Sequence, residues 1–355
     1  MRGNRGEWSE VYAFLHLLSE GKLYASDSNL NLLPDSPYIP ITRIIRHEKG
    51  QSEISYYITD LVEPKCDNES ITDPLPREKV EAEASKLLKS IASAKKGAGA
   101  FALPETEFFV QSLGVNTLKA PAQDKSDITL EIHDPKTGTS NICGWSIKSE
   151  LGNSPTLLNA GKTTNFIFEL PGCNKHILES INSIDTRSKV KDRWSQITEM
   201  LNPAYVGMLN QTFERNLRLI DTTFPSVVAF ALSEYYKGNG PECKDVISKL
   251  EKEDPLKLGE GMYAFKFKKF LSAVALGMVP AKPWNGREDA TGGYIVVKSD
   301  GSIVAFHVNN HNEFEDYLLK NTRFETASTG RHEFGYVYEE NGHFYFSLNL
   351  QIRFN

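Results

Sequence analysis

Two short stretches concentrate residues that could do chemistry on a phosphate. In the first, Asp127, Thr129 and Glu131 alternate with Ile128, Leu130 and Ile132. In the second, Ser146, Lys148 and Glu150 alternate with Trp145 and Ile147. Successive side chains of a strand point to opposite faces, so each polar trio shares one face and the apolar residues share the other. A hairpin of the two strands would gather carboxylates, a hydroxyl and a lysine on one polar surface. Metal-dependent phosphodiester cleavage uses such a set. Carboxylates bind Mg²⁺, which prefers oxygen ligands. The metal activates water and stabilises charge on the phosphate, and a nearby ammonium adds to that stabilisation. A solvated polar face of a sheet has the same pattern, and both readings stand at this level.

The elements that must position these residues follow from periodicity and turn chemistry. Residues 7–19 place Trp8, Val11, Tyr12, Leu15 and Leu18 on one helical face, and Gly21 stops the helix. Residues 38–46 and 53–61 read as a hairpin around Glu48-Lys49-Gly50-Gln51, and the proline-bearing stretch 63–76 as a loop. A helix is predicted over 77–94, stopped by Gly97 and Gly99. The polar strands around residues 127 and 148 join through the turn Asp134-Pro135-Lys136-Thr137-Gly138, and residues 165–170 supply a third strand. Residues 174–279 are mostly helical, broken at Pro203, Pro225, Pro241 and Pro255. The tail returns to strands over 293–298, 302–308, 334–338 and 344–354, with turns at Ser299-Asp300-Gly301 and Glu340-Asn341-Gly342. Blocks of strands and helices in this order predict an α+β fold.

The 355 residues carry 40 Lys plus Arg against 46 Asp plus Glu, a net charge of −6. That balance argues against a protein that coats nucleic acid generally. The acidity is concentrated early, since residues 61–135 hold 9 basic and 13 acidic side chains. Two stretches run the other way: Arg187, Lys189, Lys191 and Arg193, and Lys266, Lys268 and Lys269 interleaved with Phe265, Phe267 and Phe270. Either they are solvated helix faces or they track a phosphate backbone. The four cysteines, Cys66, Cys143, Cys173 and Cys243, form no Cys-x-x-Cys pair and read as buried thiols. No run reaches the roughly 18 apolar residues of a membrane span. The charged N-terminus lacks an apolar signal stretch, which predicts a cytoplasmic protein.

The arrangement Asp127 … Ser146-Ile147-Lys148 resembles the PD-(D/E)XK motif of type II restriction endonucleases. Wider strings resemble the HpaII family of these enzymes. They are Gly3-Asn4-Arg5-Gly6-Glu7-Trp8-Ser9-Glu10 with Gly21-Lys22-Leu23-Tyr24, Ser146 through Gly152, Pro155 through Ala160, Thr164-Asn165-Phe166, Arg331-His332-Glu333-Phe334-Gly335 and Leu348 through Phe354. They fall at both ends and in the middle, so the resemblance covers nearly the whole chain. It implies a mixed β-sheet nuclease core flanked by helices, with further helical and C-terminal β-rich regions. It divides the chain into residues 1–62, an N-terminal helix and hairpin; 63–185, the catalytic core; 186–280, a helical region; and 281–355, a β-rich DNA-recognition region.

The resemblance also implies a bacterial, Mg²⁺-dependent endonuclease that cuts both strands of CCGG after the first C and leaves 5′-phosphates. A homodimer is the simplest way to cut a palindrome, because its two-fold symmetry matches that of the DNA, and a monomer that nicks twice is the alternative. A partner methyltransferase would protect host DNA. Asp127 would be the metal-binding carboxylate and Lys148 the motif lysine. Ser146 stands where the pattern has an acid, and Ser126 where it has proline. The substitute acid is expected among Glu10, Glu7 and Glu150, with Glu131 and Glu169 further candidates. Arginine pairs with guanine in the major groove, which puts Arg331 and His332 first for base readout, then Arg287 and Arg323. Lys162, Asn159, Asn165 and Ser149 are expected near the scissile phosphate. Two other classes stay open: a regulatory DNA-binding protein on a nuclease scaffold that has lost catalysis, and a structure-selective repair nuclease.

Overall fold

The structure is a computed structural model describing residues 1–33, 38–48, 53–94, 99–118, 126–134, 138–152, 154–307 and 310–355. Helix α1 (Arg5–Glu20) starts with a capping box, in which the Asn4 side chain accepts from Glu7 N–H and the Glu7 carboxylate accepts from Asn4 N–H. Gly21, at φ 62°, ends it in the left-handed conformation that glycine adopts most easily. After β1 (Lys22–Leu23) comes the predicted hairpin, β2 (Ile39–Arg46) and β3 (Ile54–Ile58). The stretch read as a loop holds short strands instead: β4 (Leu61–Cys66), β5 (Glu69–Ser70) and β6 (Leu75–Pro76). Its prolines misled because they lie toward the end of the sheet, where a missing N–H donor is tolerated. Helices α2 (Arg77–Ser93) and α3 (Pro104–Ser112) follow, then β7 (Ile128–Asp134) and β8 (Thr139–Ser149). Residues 49–51 and 135–137 of the predicted turns, Gly97 and Val308 lie outside the described residues.

The chain continues through β9 (Thr156–Leu158) and β10 (Asn165–Glu169) into the predicted helical region. This comprises α4 (Lys175–Asn182), α5 (Lys189–Met200), a strand β11 (Ala204–Met208), α6 (Gln211–Ile220), α7 (Phe224–Tyr236), α8 (Cys243–Glu253) and α9 (Met262–Ala275). The tail holds β12 (Gly293–Val297), β13 (Ile303–His307), α10 (His311–Lys320), β14 (Thr322–Phe324), α11 (Thr329–His332), β15 (Val337–Glu340), β16 (His343–Asn349) and β17 (Ile352–Phe354).

Two compact units result, each built from two stretches of chain. The first comprises Met1–Pro155 and Glu288–Phe314, the second Thr156–Arg287 and Glu315–Asn355. The first contains a mixed sheet of order β13-β12-β8-β7-β2-β3-β4-β5, with β1 on β2 and β6 on β4. β12 lies parallel to β8, and the other pairings are antiparallel. One face of this sheet packs against α1 and α2. Trp8, Val11, Leu15 and Leu18 meet Ile128, Leu130, Trp145 and Ile147 there in one buried cluster. That burial fixes the register, because a one-residue slip would turn the polar trios into the core.

The second unit holds a sheet of order β11-β10-β16-β15, a smaller one of order β14-β17-β9, and the helices α4 to α9. Phe168, Trp194 and Phe346 pack together in its core. Residues 165–169 therefore form a strand as expected, but not in the sheet of the polar hairpin. The third strand beside β8 is β12, from residues the sequence assigns to the C-terminal region. All four cysteines are free, and only Cys243 is buried. No helix among the described residues is long and apolar enough to cross a membrane.

Candidate active site and DNA-contact residues

Strands β7 and β8 pair as the alternation requires, with Ile128 opposite Trp145 and Glu131 opposite Ile142. Asp127, one residue before β7, continues the ladder by donating its N–H to Trp145 O at 2.9 Å. Its Oδ2 accepts from Ile147 N–H at 2.6 Å and from Ser146 Oγ–H at 3.2 Å. This close approach depends on Gly144, because a Cβ there would lie 2.6 Å from Ser126 Cβ. Ser146 is 7 % exposed and opposite Tyr294 of β12. Lys148 lies on the same strand face, partly exposed, opposite Val296. Among the described residues Lys148 makes no ion pair.

The carboxylate of Asp127 is thus fixed by two donors to one oxygen. Its Oδ1 has no protein donor among the described residues. Asp127 also lines a shallow depression with Ile45, Arg46, His47, Ser126, Ile128 and Thr129. His47 was not among the sequence candidates. It follows β2, and continuing the β2–β7 register beyond Ile45 opposite Thr129 brings it abreast of Asp127. Its Nε2 is 4.0 Å from Glu53 Oε2. Its place there follows from the β2–β7 register, which pairs strands distant in the chain and so is not specified locally by the sequence. Arg46 and Glu48 behind the depression form a buried ion pair, with the second Glu48 oxygen accepting from Asn116 N–H and Thr117 Oγ–H.

The other candidate acids are engaged elsewhere. Glu131 pairs with Arg43 at 2.7 Å. Glu150 accepts from Ser299 N–H at 3.1 Å, at the β12–β13 turn. Glu7 closes the capping box of α1. Glu169 lies in the second unit and meets His343 at 2.8 Å. Glu10 is partly exposed on α1, which packs on the apolar face of β8, the face opposite Ser146 and Lys148. Among the described residues no three His, Cys, Asp or Glu side chains gather to hold a metal. The oxygens at Asp127 and Ser146 nevertheless suit Mg²⁺, which takes oxygen ligands, keeps several waters and uses one or two carboxylates. On the apolar side of β8, burial pushes the Cys143 thiol upward. Burial likewise lowers the His307 imidazole, against the pull of Asp134.

The expected DNA-contact residues fall mostly in the second unit. Arg331 is exposed on the one-turn helix α11, with His332 half-buried beside it. This segment reads from sequence as a flexible approach to a strand, and it is a helical turn instead. Asn159 and Arg287 are exposed. Arg323 is partly exposed on β14, opposite Arg353. Lys162 pairs with Glu333. Asn165 is 1 % exposed, and its amide donates to His332 O at 2.9 Å, so it supports the Arg331 turn from within. Ser149, in the first unit, accepts from Leu151 N–H at 3.1 Å. The basic stretches are largely neutralised: Lys266 pairs with Asp221, Lys268 with Asp316 and Lys269 with Glu315. Arg193 is buried on backbone carbonyls, and Lys191 covers the Tyr235 ring.

The family model of the HpaII restriction endonuclease matches residues 4–354. The type II restriction enzyme HpaII of Haemophilus parainfluenzae is 40 % identical over 360 residues, which cover 99 % of this chain and 98 % of that protein. No solved structure matches the chain.

Proposed function

The chain belongs to the HpaII restriction endonuclease family, and from that premise we propose that it is a type II restriction endonuclease with Asp127 and Lys148 in its active site. Its substrate is double-stranded DNA at CCGG, cut after the first C on each strand with Mg²⁺. The observation that carries the site is the Asp127 carboxylate, held through one oxygen by Ile147 N–H and Ser146 Oγ–H on the strand that bears Lys148. Hydrolysis forms a P–O bond to water oxygen and breaks the bond from phosphorus to the 3′ oxygen, leaving a 5′-phosphate.

Asp127 and Ser146 would hold Mg²⁺, with Glu10 as the second carboxylate; Glu7 and Glu150 are the alternatives. When bound, the ion lowers the pKa of water and neutralises charge on the phosphate. Ile147 N–H and the Ser146 hydroxyl keep the Asp127 carboxylate oriented through Oδ2, so Oδ1 is presented without a torsional search. The Lys148 ammonium shares that polar face and stabilises the extra negative charge of the attacked phosphate. Arg331 and His332, then Arg287 and Arg323, read base edges. Lys162, Asn159 and Ser149 contact the backbone.

Cutting both strands of a palindrome is simplest for a homodimer, whose two-fold axis matches that of the DNA. A methyltransferase that modifies the same sequence would complete the system. Sedimentation with and without a CCGG duplex tests the dimer. Lys148→Ala tests the site: it should bind the duplex as the parent does and cut it at least a hundredfold more slowly. Parental cutting by Lys148→Ala would overturn the assignment. Ser146, in the place of the usual acid, favours a second reading, a binding protein without catalysis. Specific binding in EDTA with no cutting after Mg²⁺ addition would select it.

A further inference from the structure

Three stretches far apart in sequence meet inside the second unit, at residues 161–165, 331–335 and 347–350. Asn349 of β16 lies opposite Asn165 of β10, and both are buried, at 0 % and 1 % exposure. The Asn349 Nδ2 faces Gly161 O at 2.8 Å, Thr164 Oγ1 at 3.0 Å and Asn165 Oδ1 at 2.7 Å. Three oxygens around one nitrogen fix the amide's orientation, since the flipped amide would set oxygen against oxygen. With its Oδ1 accepting from Asn349, Asn165 must aim Nδ2 the other way. There it donates to His332 O at 2.9 Å.

The far end of the same turn is held separately. Arg193 Nη1 donates to Gly335 O at 2.6 Å, and Asn182 makes two bonds of 2.8 Å with the backbone of Val337. The segment so clamped, α11, is four residues long and buries none of them. Glu333 closes it at φ 52°. A single helical turn does not persist on its own. Its four residues bury nothing, so its conformation is set by the polar groups beneath it together with Phe334, which follows it and is 1 % exposed, while Arg331 stands exposed above.

We infer that Asn165 and Asn349 are positioning residues for DNA recognition: their amide relay fixes the turn that presents Arg331. The inference rests on the reading of Arg331 as a base contact. A bidentate arginine contact needs a fixed backbone, because the side chain's fork must meet both acceptors of guanine. The relay also pairs the amide nitrogens of two buried residues at adjoining strand ends, where a buried amide is tolerated when it is hydrogen-bonded, and leaves only the Asn349 Oδ1 without a partner among them.

The test is a binding cycle without divalent cation. The probes are a 20-base-pair duplex centred on the sequence at which the enzyme's own ends map, CCGG under the reading above, and the same duplex with a scrambled centre. Asn165→Asp keeps the size and the acceptor of Asn165 and loses the donation to His332 O. It should weaken binding to the mapped duplex about tenfold and to the scrambled duplex by less than twofold. In the double variant with Arg331→Ala it should add nothing to the loss from Arg331→Ala alone. Full additivity would overturn the inference, since Asn165 would then not act through Arg331. Unchanged binding by Arg331→Ala alone would instead overturn the reading of Arg331, and the inference with it. Should Asn165→Asp fail to fold, amide exchange in the parent decides. Slow exchange over residues 329–335 supports the clamp, and exchange at the rate of an unstructured peptide refutes it.

Discussion

Replacing Asp127 by Asn separates the two things its carboxylate does. Asn keeps an acceptor for Ile147 N–H and Ser146 Oγ–H, which lie 2.6 and 3.2 Å from Asp127 Oδ2. A hydrogen bond to a charged group contributes about 1.5–3 kcal/mol and a neutral one about 0.5–1.5 kcal/mol. With both bonds weakened by about 1 kcal/mol each, the folding cost of Asp127→Asn is about 2 kcal/mol, or roughly 3 °C in Tm for a chain of this size. The chemical cost is much larger, because a neutral amide supplies no anionic oxygen to a divalent cation. A thousandfold loss in the cleavage rate corresponds to about 4 kcal/mol of transition-state stabilisation, and at least that loss is expected. The assay is cutting of supercoiled plasmid under single-turnover conditions with Mg²⁺, beside a thermal melt of the same preparation. Cutting within tenfold of the parent would mean that Asp127 does not ligate the metal, and a Tm loss above about 10 °C would make it a structural residue.

Three further outcomes follow from the same structure. Glu10→Gln should lower Mg²⁺-dependent cutting by about a hundredfold, with Glu7→Gln, Glu131→Gln and Glu150→Gln within about fivefold. Inactive Glu150→Gln beside parental Glu10→Gln would reverse the assignment. Glu48→Gln strands the buried Arg46 guanidinium, which is 9 % exposed, and should cost about 3–5 kcal/mol of stability; an unchanged Tm would contradict this. Burial holds the His16 imidazole below its ordinary value of 6.5, against the upward pull of Glu20 and Glu81. The unfolded chain then binds more protons, so stability should be full above pH 6.5 and decline as pH falls through and below it. His307 is shifted the same way. His16→Gln should flatten the dependence of Tm on pH, and an identical slope would remove His16 as its source.

What was legible in the sequence is what a strand or helix states locally. Ile128, Leu130 and Ile132 could only be buried together by turning Asp127, Thr129 and Glu131 to the other face, and Trp145 with Ile147 did the same for Ser146 and Lys148. Helix α1 announced itself through the spacing of Trp8, Val11, Leu15 and Leu18. Most of the missed features depend on partners distant in the chain. β12 pairs in parallel with β8 nearly 150 residues earlier, and such a crossover leaves no turn signal between the two strands. For Lys266, Lys268 and Lys269 a solvated face and a phosphate track both stayed open, because Asp221, Glu315 and Asp316 are not their sequence neighbours. Asn165 reads from sequence as a contact near the scissile phosphate, and Asn349 only as part of the C-terminal string Leu348 through Phe354. Only their pairing across β10 and β16 reveals a buried relay.

The whole-chain charge misleads about DNA for a related reason. A net charge of −6 describes the sum, while sequence-independent affinity follows the few phosphates that lysine and arginine neutralise. With Lys266, Lys268 and Lys269 already paired to acids, non-specific binding should be weak and specific contacts decisive.

The central claim is that this chain cuts DNA at one palindrome with a site built on Asp127 and Lys148. Digestion of plasmid DNA with Mg²⁺, followed by mapping both ends of each fragment, tests it most directly. The account predicts breaks after the first C of CCGG on both strands, each with a 5′-phosphate, and none in EDTA. Breaks at branched or damaged DNA without a fixed sequence, or specific binding with no cutting at all, would contradict it.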